Sequence, residues 1–213
     1  MLTIHHLGRS QSERIVWLCE ELDLPYRLVR YDRDPVTILS PPELKAVHPL
    51  GAAPVIQDDD VTLAESGAVV AFILGRYGDG RLAHGPEHPR YADYLYWFHF
   101  ANGTLQLNMS RVGAMRRAGL APDAPGMASQ DARLGRVVAH VESRLAANPY
   151  LAGPDFTASD IMSVFSLTTM RLFTALDLQP YPAIRAYLAR IGARDGYRRA
   201  MAASEPGFAP MLG

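Results

Sequence analysis

"HHLGRSQSERIVWLCEELDLPY", residues 5–26, joins a short apolar run to a run of helical periodicity, with two serines at the junction. Residues 2–7, LTIHHL, read as a strand that stops at Gly8. From Ser12 to Leu24 the apolar Ile15, Leu18, Cys19 and Leu22 fall at i, i+3, i+4 and i+7. That is one face of an amphipathic helix, which Pro25 ends. A helix start needs one capping hydroxyl. One of Ser10 and Ser12 is therefore surplus to the cap and a candidate for chemistry.

Downstream of this stretch, "YRLVRY" at 26–31 reads as a second strand. "SPPE" at 40–43 reads as a capping box, with Ser40 the cap, Pro41 the first helical residue and Glu43 reaching back. "PVIQ" at 54–57 and "VTLA" at 61–64 flank an acidic turn and predict a hairpin. From Ser66 the pattern is helical again, through Val69, Val70, Ile73 and Tyr77. The order β-α-β-α-β-β-α predicts a small α/β domain over residues 1–78. Residues 78–89 hold three glycines and two prolines, so a linker is expected at 79–88. Residues 89–213 then read as an all-helical domain. Its helices are expected at 90–117 (interrupted at Gly103 and Gly113), 130–147, 158–177, 182–193 and 195–203, with a Pro/Gly/Ala loop at 118–129.

The chain has 213 residues, 48% hydrophobic and 20% charged, enough for a substantial core. A net charge of -1 argues against nucleic acid or an anionic membrane as partner. No apolar run approaches the ~20 residues of a membrane span, and "MLTIHHLGRS" lacks the pattern of a secretory signal, so a cytoplasmic location is expected. Cys19, the single cysteine, excludes an intrachain disulfide and sits on the apolar helix face, where core packing is its expected role. His5 and His6 alternate in a strand, one towards the core and one to the other face. A metal site there would need a third ligand that the sequence does not offer, so no metal is expected.

Three further stretches carry information. In "NPYLAGPDFTASDIMS", residues 148–163, Thr157 and Asp160 form a capping box, a structural device. In "HPLGAAPVIQ", residues 48–57, Pro54 enters a strand after a glycine loop, a setting that suits a cis peptide. Ala53 before it is extended, so it either turns the chain into the strand or pairs its backbone with an extended ligand. In "LAESGAVVAFI", residues 63–73, Ser66 either caps a helix or holds a carboxylate at the helix N-terminus while Glu65 takes an ammonium. An amino-acid head group needs both.

Taken in order, the strand–loop–serine–helix start, the "P-x-G-x-x-P" of HPLGAAP, the "ES" at 65–66 and the "F-T-x-S-D" box resemble the glutathione S-transferase family over essentially the whole chain. The opening stretch and "NPYLAGPDFTASDI" look particularly like bacterial members of its serine-dependent branch. The resemblance implies a thioredoxin-like N-terminal domain that binds glutathione as co-substrate. It also implies an all-helical C-terminal domain forming the pocket for a small electrophile, and a homodimer. Residue by residue, it implies that the backbone at Ala53, before Pro54, pairs with the cysteinyl unit, and that Glu65 and Ser66 hold the γ-glutamyl end. In the serine-dependent branch the catalytic serine stands four residues before an arginine, so Arg14 points to Ser10. Ser12 is the alternative, and the better N-cap.

The family's "N-P-x-G-K-V-P" is HPLGAAP here. Ala52 replaces the basic or amide residue that would contact the glycine carboxylate of glutathione, so either His48, Lys45 or another group makes that contact, or glutathione binds weakly. Asn102 stands where relatives often carry an acid. Met109, Val112 and Met115 either line the electrophile pocket or pack the bundle. Arg111, Arg116 and Arg117 are a solvated face or an attractor for an anionic substrate. Loop 118–128 and the tail at Phe208 are candidate gates. The implied activity is conjugation of glutathione to small apolar electrophiles, a detoxification reaction. A glutathione-dependent peroxidase or disulfide reductase is an alternative, as is a non-catalytic binding protein on the same fold.

Overall fold

A computed structural model describes all 213 residues. Four strands, β1 (Thr3–Leu7), β2 (Arg27–Tyr31), β3 (Val55–Asp58) and β4 (Val61–Ala64), form one sheet in the order β2-β1-β3-β4. β1 and β2 are parallel, with Ile4 opposite Leu28, so they need a crossover. Helix α1 (Glu13–Glu21) supplies it. β3 runs antiparallel to both β1 and β4. The β3–β4 turn puts Asp59 at φ +53°, a left-handed position that a short polar side chain tolerates. Helices α2 (Pro42–Val47) and α3 (Ser66–Tyr77) complete the βαβαββα order. Ile4, Ile15, Leu18, Val55, Ile56, Val69 and Ile73 are fully buried.

The remaining helices are α4 (Tyr91–Phe100), α5 (Leu107–Arg117), α6 (Pro125–Ala147), α7 (Ala158–Leu167), α8 (Pro182–Gly192) and α9 (Asp195–Ser204). The fold is thus a thioredoxin-like α/β domain and a helical one, as expected. Two compact units form: residues 1–83 with 192–210, and residues 84–191 with 211–213. The expected division at 1–78, 79–88 and 89–213 therefore needs correction at its C-terminal end, because α9 returns to the first unit. There Tyr197 meets Trp17 edge-on with centroids 5.0 Å apart, and Arg194 grips Glu21 through two bonds of 2.8 and 2.7 Å.

Several local expectations also change. Ser40 does not cap α2. Pro41 holds the cap position, and the Ser40 hydroxyl donates to the Gly51 carbonyl at 2.6 Å. Gly103 lies in a π-helical stretch, Ala101–Gln106, that joins α4 to α5 without a break. Gly113 does not interrupt α5, but lets it approach Thr174, whose hydroxyl would lie 2.2 Å from a Cβ. α6 starts at Pro125, using proline's preference for the first turn, so loop 118–128 is shorter than expected. The helix expected at 158–177 stops at Leu167 and gives way to a 3-10 turn, Thr169–Leu172. α8 is capped from α6, where the Glu142 carboxylate accepts from the Ala183 and Ile184 amides at 2.9 Å each. No helix is long and apolar enough to cross a membrane.

Candidate functional site

The end of β1 and the start of α1 are held by the first unit itself. The Gly8 amide donates to the Tyr31 carbonyl at 2.9 Å, and Arg33 donates to the carbonyls of Gly8 and Arg9. Arg9 turns the chain at φ +53°, and its amide donates to the Glu205 carboxylate. Ser10 then begins the turn that runs into α1, its carbonyl accepting from the Glu13 amide at 3.1 Å.

Of the two serines only Ser10 makes a cap-like bond, its hydroxyl accepting from the Ser12 amide at 3.3 Å. Ser12 occupies the N-cap position but has helical dihedrals and makes no side-chain capping bond, which corrects its assignment as the N-cap. Its hydroxyl points back to β1 instead, where it accepts from the Leu7 amide at 3.1 Å and meets His6 Nδ1 at 2.8 Å. Ser10 and Ser12 lie Oγ to Oγ at 2.6 Å. Ser12 is 0% exposed and Ser10 6%, so of the two only Ser10 keeps surface at the mouth of the turn.

Gln11 was missed in the sequence and links the rest of the site. Its amide donates to the Ala53 carbonyl at 3.3 Å, and its oxygen accepts from Arg14 at 3.2 Å. Arg14 also donates to the Ser66 hydroxyl at 3.3 Å. The Arg14 guanidinium is wholly buried, and burial pulls its pKa down to about 9, against the opposing pull of Glu13. It remains a cation at neutral pH. The Ala53–Pro54 bond is cis and both residues are buried. Glu65, exposed, stands at φ +69° immediately before α3, a conformation a non-glycine residue adopts only when its surroundings impose it. Ser66 is buried at the first turn of α3. Gln11, Arg14, Ala53 and Ser66 are thus joined through direct bonds, with Ser10, Pro54 and Glu65 adjacent to them in the chain.

Other candidates fall elsewhere. His48 is half-buried and its side-chain bond is local, Nδ1 accepting from the Leu50 amide at 3.5 Å. In the second unit Met109 and Val112 have no exposed surface and pack as core, while Met115 is partly exposed. Arg116 donates to Asp131 and the Ala175 carbonyl, and Arg117 to the Phe173 carbonyl, so both serve packing. The histidines of β1 are both buried. His5 bonds Tyr31 at 2.8 Å and Gln57 at 3.0 Å on one face, and His6 faces Ser12 on the other. No group of three His, Cys, Asp or Glu side chains is placed to hold a metal.

Cys19 is fully buried on α1, and burial pushes its thiol up to about 12. A thiol that does not ionise is a poor nucleophile. The native protein is expected to resist an aromatic disulfide reagent at pH 8, and the denatured chain to consume one equivalent at once. Rapid labelling of the native state would show that α1 opens readily.

The comparisons with known proteins agree over both units. The family model for the glutathione S-transferase N-terminal domain matches residues 9–74, and that for the C-terminal domain matches residues 100–195. Glutathione S-transferase 3 of Schizosaccharomyces pombe is 29% identical over 210 residues, covering 93% of this chain and 86% of its own. The crystal structure of a glutathione S-transferase from Actinobacillus pleuropneumoniae is 32% identical, with a TM-score of 0.87 over 98% of this chain and 97% of that one. A glutathione transferase homologue from Sulfitobacter, solved with bound glutathione, shares the fold at a TM-score of 0.76 and 23% identity, over 95% of this chain and 98% of that one.

Proposed function

The chain belongs to the glutathione S-transferase family and is an enzyme of that family, and from that premise we propose that it ionises glutathione at Ser10 and conjugates the thiolate to small apolar electrophiles. The observation that carries this is the position of the Ser10 hydroxyl at the start of α1: of the two serines it alone keeps exposed surface, and it adjoins Gln11, which bonds Ala53 and, through Arg14, reaches Ser66.

A free thiol has a pKa near ~8.5 and reacts as the thiolate. A hydroxyl that donates to sulfur favours the anion, and the N-terminus of α1 adds its positive dipole end. The serine-dependent branch of the family is therefore part of the proposal, with Ser10 as the serine. Glutathione lies extended, its cysteinyl unit paired with the backbone at Ala53 beside Pro54. Gln11 must release the Ala53 carbonyl to allow this. The γ-glutamyl ammonium meets Glu65, and its carboxylate meets Ser66 at the N-terminus of α3, within the field of the buried Arg14 cation. His48, with Lys45, takes the glycine carboxylate in place of the side chain that Ala52 lacks. Met115, of the three residues expected to line the electrophile pocket, keeps the surface to do so. A cytoplasmic homodimer completes the assignment.

Calorimetric titration with glutathione, followed by product analysis with an aryl halide, an enone and an organic hydroperoxide, tests it. Saturable binding and thioether products are expected. Glutathione disulfide and alcohol as the sole products would replace conjugation by a peroxidase. Absence of binding would leave a non-catalytic protein on this fold.

A further inference from the structure

Four side chains of the first unit form an unbroken buried chain of hydrogen bonds. Ser10 Oγ meets Ser12 Oγ at 2.6 Å, Ser12 Oγ meets His6 Nδ1 at 2.8 Å, and His6 Nε2 meets Glu205 Oε1 at 3.1 Å. His6 and Ser12 are 0% exposed and Glu205 is 2% exposed. Glu205 follows α9, from the far end of the sequence, so the segment after α9 closes the chain onto β1. Burying an imidazole and a carboxylate is costly unless each finds partners. Here every polar atom of the chain finds one, in either of two proton arrangements.

In the first arrangement His6 is neutral. Its Nε2–H donates to Glu205 and its Nδ1 accepts from Ser12, which accepts from Ser10. Ser12 also accepts the Leu7 amide, so its hydroxyl is saturated. Ser10 then spends its proton on Ser12, and offers an approaching thiol only a lone pair. In the second arrangement His6 is an imidazolium. Its Nδ1–H donates to Ser12, Ser12 donates to Ser10, and the Ser10 proton is free to point at sulfur. Ser12 is again saturated. The Leu7 carbonyl, at 3.4 Å from the Ser12 hydroxyl, is the only other acceptor bonded to it and lies further away.

One proton separates the two arrangements. We propose that His6, oriented by Glu205, receives the proton of the glutathione thiol through Ser10 and Ser12. The S–H bond breaks and the Nδ1–H bond forms, and each serine takes one proton and gives one. No other reactant is needed. The products are a thiolate that accepts a hydrogen bond from Ser10 and an imidazolium paired with a carboxylate. His6 and Glu205 act through the serines and are positioning residues. The inference rests on the assignment of Ser10 to the sulfur made above.

The charges around His6 suit a station that fills and empties. Glu205 is the carboxylate bonded to it. Arg30 lies 3.9 Å from the other Glu205 oxygen, and Arg33 is within Coulombic reach of the same carboxylate. Arg9 contributes its backbone amide to Glu205. Two cations thus share the Glu205 carboxylate with His6. His5, on the opposite face, bonds Tyr31 and Gln57 and stays outside the chain.

The test counts protons. Glutathione is titrated into the wild type at pH ~7 in two buffers of different ionisation heat, with thiolate read by ultraviolet absorbance and the His6 ring nitrogens read by NMR. Thiolate is expected to form with release of less than about a quarter of a proton per thiolate, as His6 moves from neutral to imidazolium. In Glu205→Gln, which keeps the shape of the side chain, release is expected to rise towards one proton per thiolate and the bound thiol's pKa to rise by ~1 unit. Release of a full proton by the wild type, with the His6 signal unmoved, would overturn the relay while leaving Ser10 in place. If Ser10→Ala leaves the thiolate unchanged, the assignment of Ser10 fails and the relay with it. The wild-type measurements decide the matter even if Glu205→Gln does not fold.

Discussion

Ser10→Ala is expected to bind glutathione nearly as well as the wild type and to turn it over ~10- to 50-fold more slowly at pH ~6.5. In the proposed assignment binding rests on the backbone at Ala53 and on Glu65 and Ser66, which the substitution does not touch. What is lost is the one hydroxyl that keeps exposed surface at the start of α1. If Ser10 lowers the thiol's pKa by ~1–2 units from ~8.5, its removal cuts the thiolate fraction at pH ~6.5 by roughly tenfold to fiftyfold. A pH profile of kcat/KM separates this from a folding defect. The acid limb should move up by ~1–2 units in Ser10→Ala, and activity should recover at high pH, where solvent ionises the thiol. Ser12→Ala should also move the limb, because it cuts the link to His6, and should cost stability as well by leaving the Leu7 amide without its acceptor. An unchanged limb in Ser10→Ala together with a shifted one in Ser12→Ala would hand the role to Ser12.

The two serines also show how far the sequence could be read. Periodicity located β1 and α1, because apolar side chains at helical spacing have one place to go. Periodicity also located the start of α3, while proline chemistry pointed to a cis bond at Pro54 and capping residues to the box at Thr157–Asp160. Capping rules misassigned Ser12 and Ser40, since a hydroxyl beside a helix start bonds whichever partner the tertiary fold brings nearest. For Ser12 that partner is His6 and for Ser40 it is the Gly51 carbonyl. Glu205 lies in a tail without periodicity, 199 residues from the histidine it bonds, and no local pattern signals such a pair. Gln11 was equally silent, because a glutamine beside a serine has no spacing rule. α9 was expected among the helices, and its return to the first unit depends on Trp17, Tyr197, Glu21 and Arg194 meeting in space.

The box at Thr157–Asp160 carries the largest expected effect on stability. Asp160 is 0% exposed. Its Oδ1 accepts from the Leu151 amide and the Tyr187 hydroxyl at 3.0 Å each, and its Oδ2 from the Thr157 amide at 2.9 Å and, more loosely, the Thr157 hydroxyl at 3.4 Å. One carboxylate thus ties the loop before α7, the cap of α7 and a side chain of α8. Asp160→Asn keeps the size but turns an acceptor oxygen into a donor, so an NH2 group faces N–H or O–H donors in a dry site. The expected loss is ~2–4 kcal/mol, or a fall in Tm of roughly 5–15 °C for a chain of this length. Thermal unfolding measures it. The pH dependence carries a second test, of burial against hydrogen bonding. Burial raises the Asp160 carboxyl from 3.8 to about 6, while the four donors pull the other way. Between those values the native state holds a proton that the unfolded chain has lost, so Asp160's contribution to stability falls as pH rises from 3.8 to about 6 and is constant above. The asparagine variant has no such proton, so the gap in stability between wild type and Asp160→Asn should narrow across that window. A gap that widens instead would mean that the four donors outweigh burial, and that the carboxyl ionises below its ordinary value.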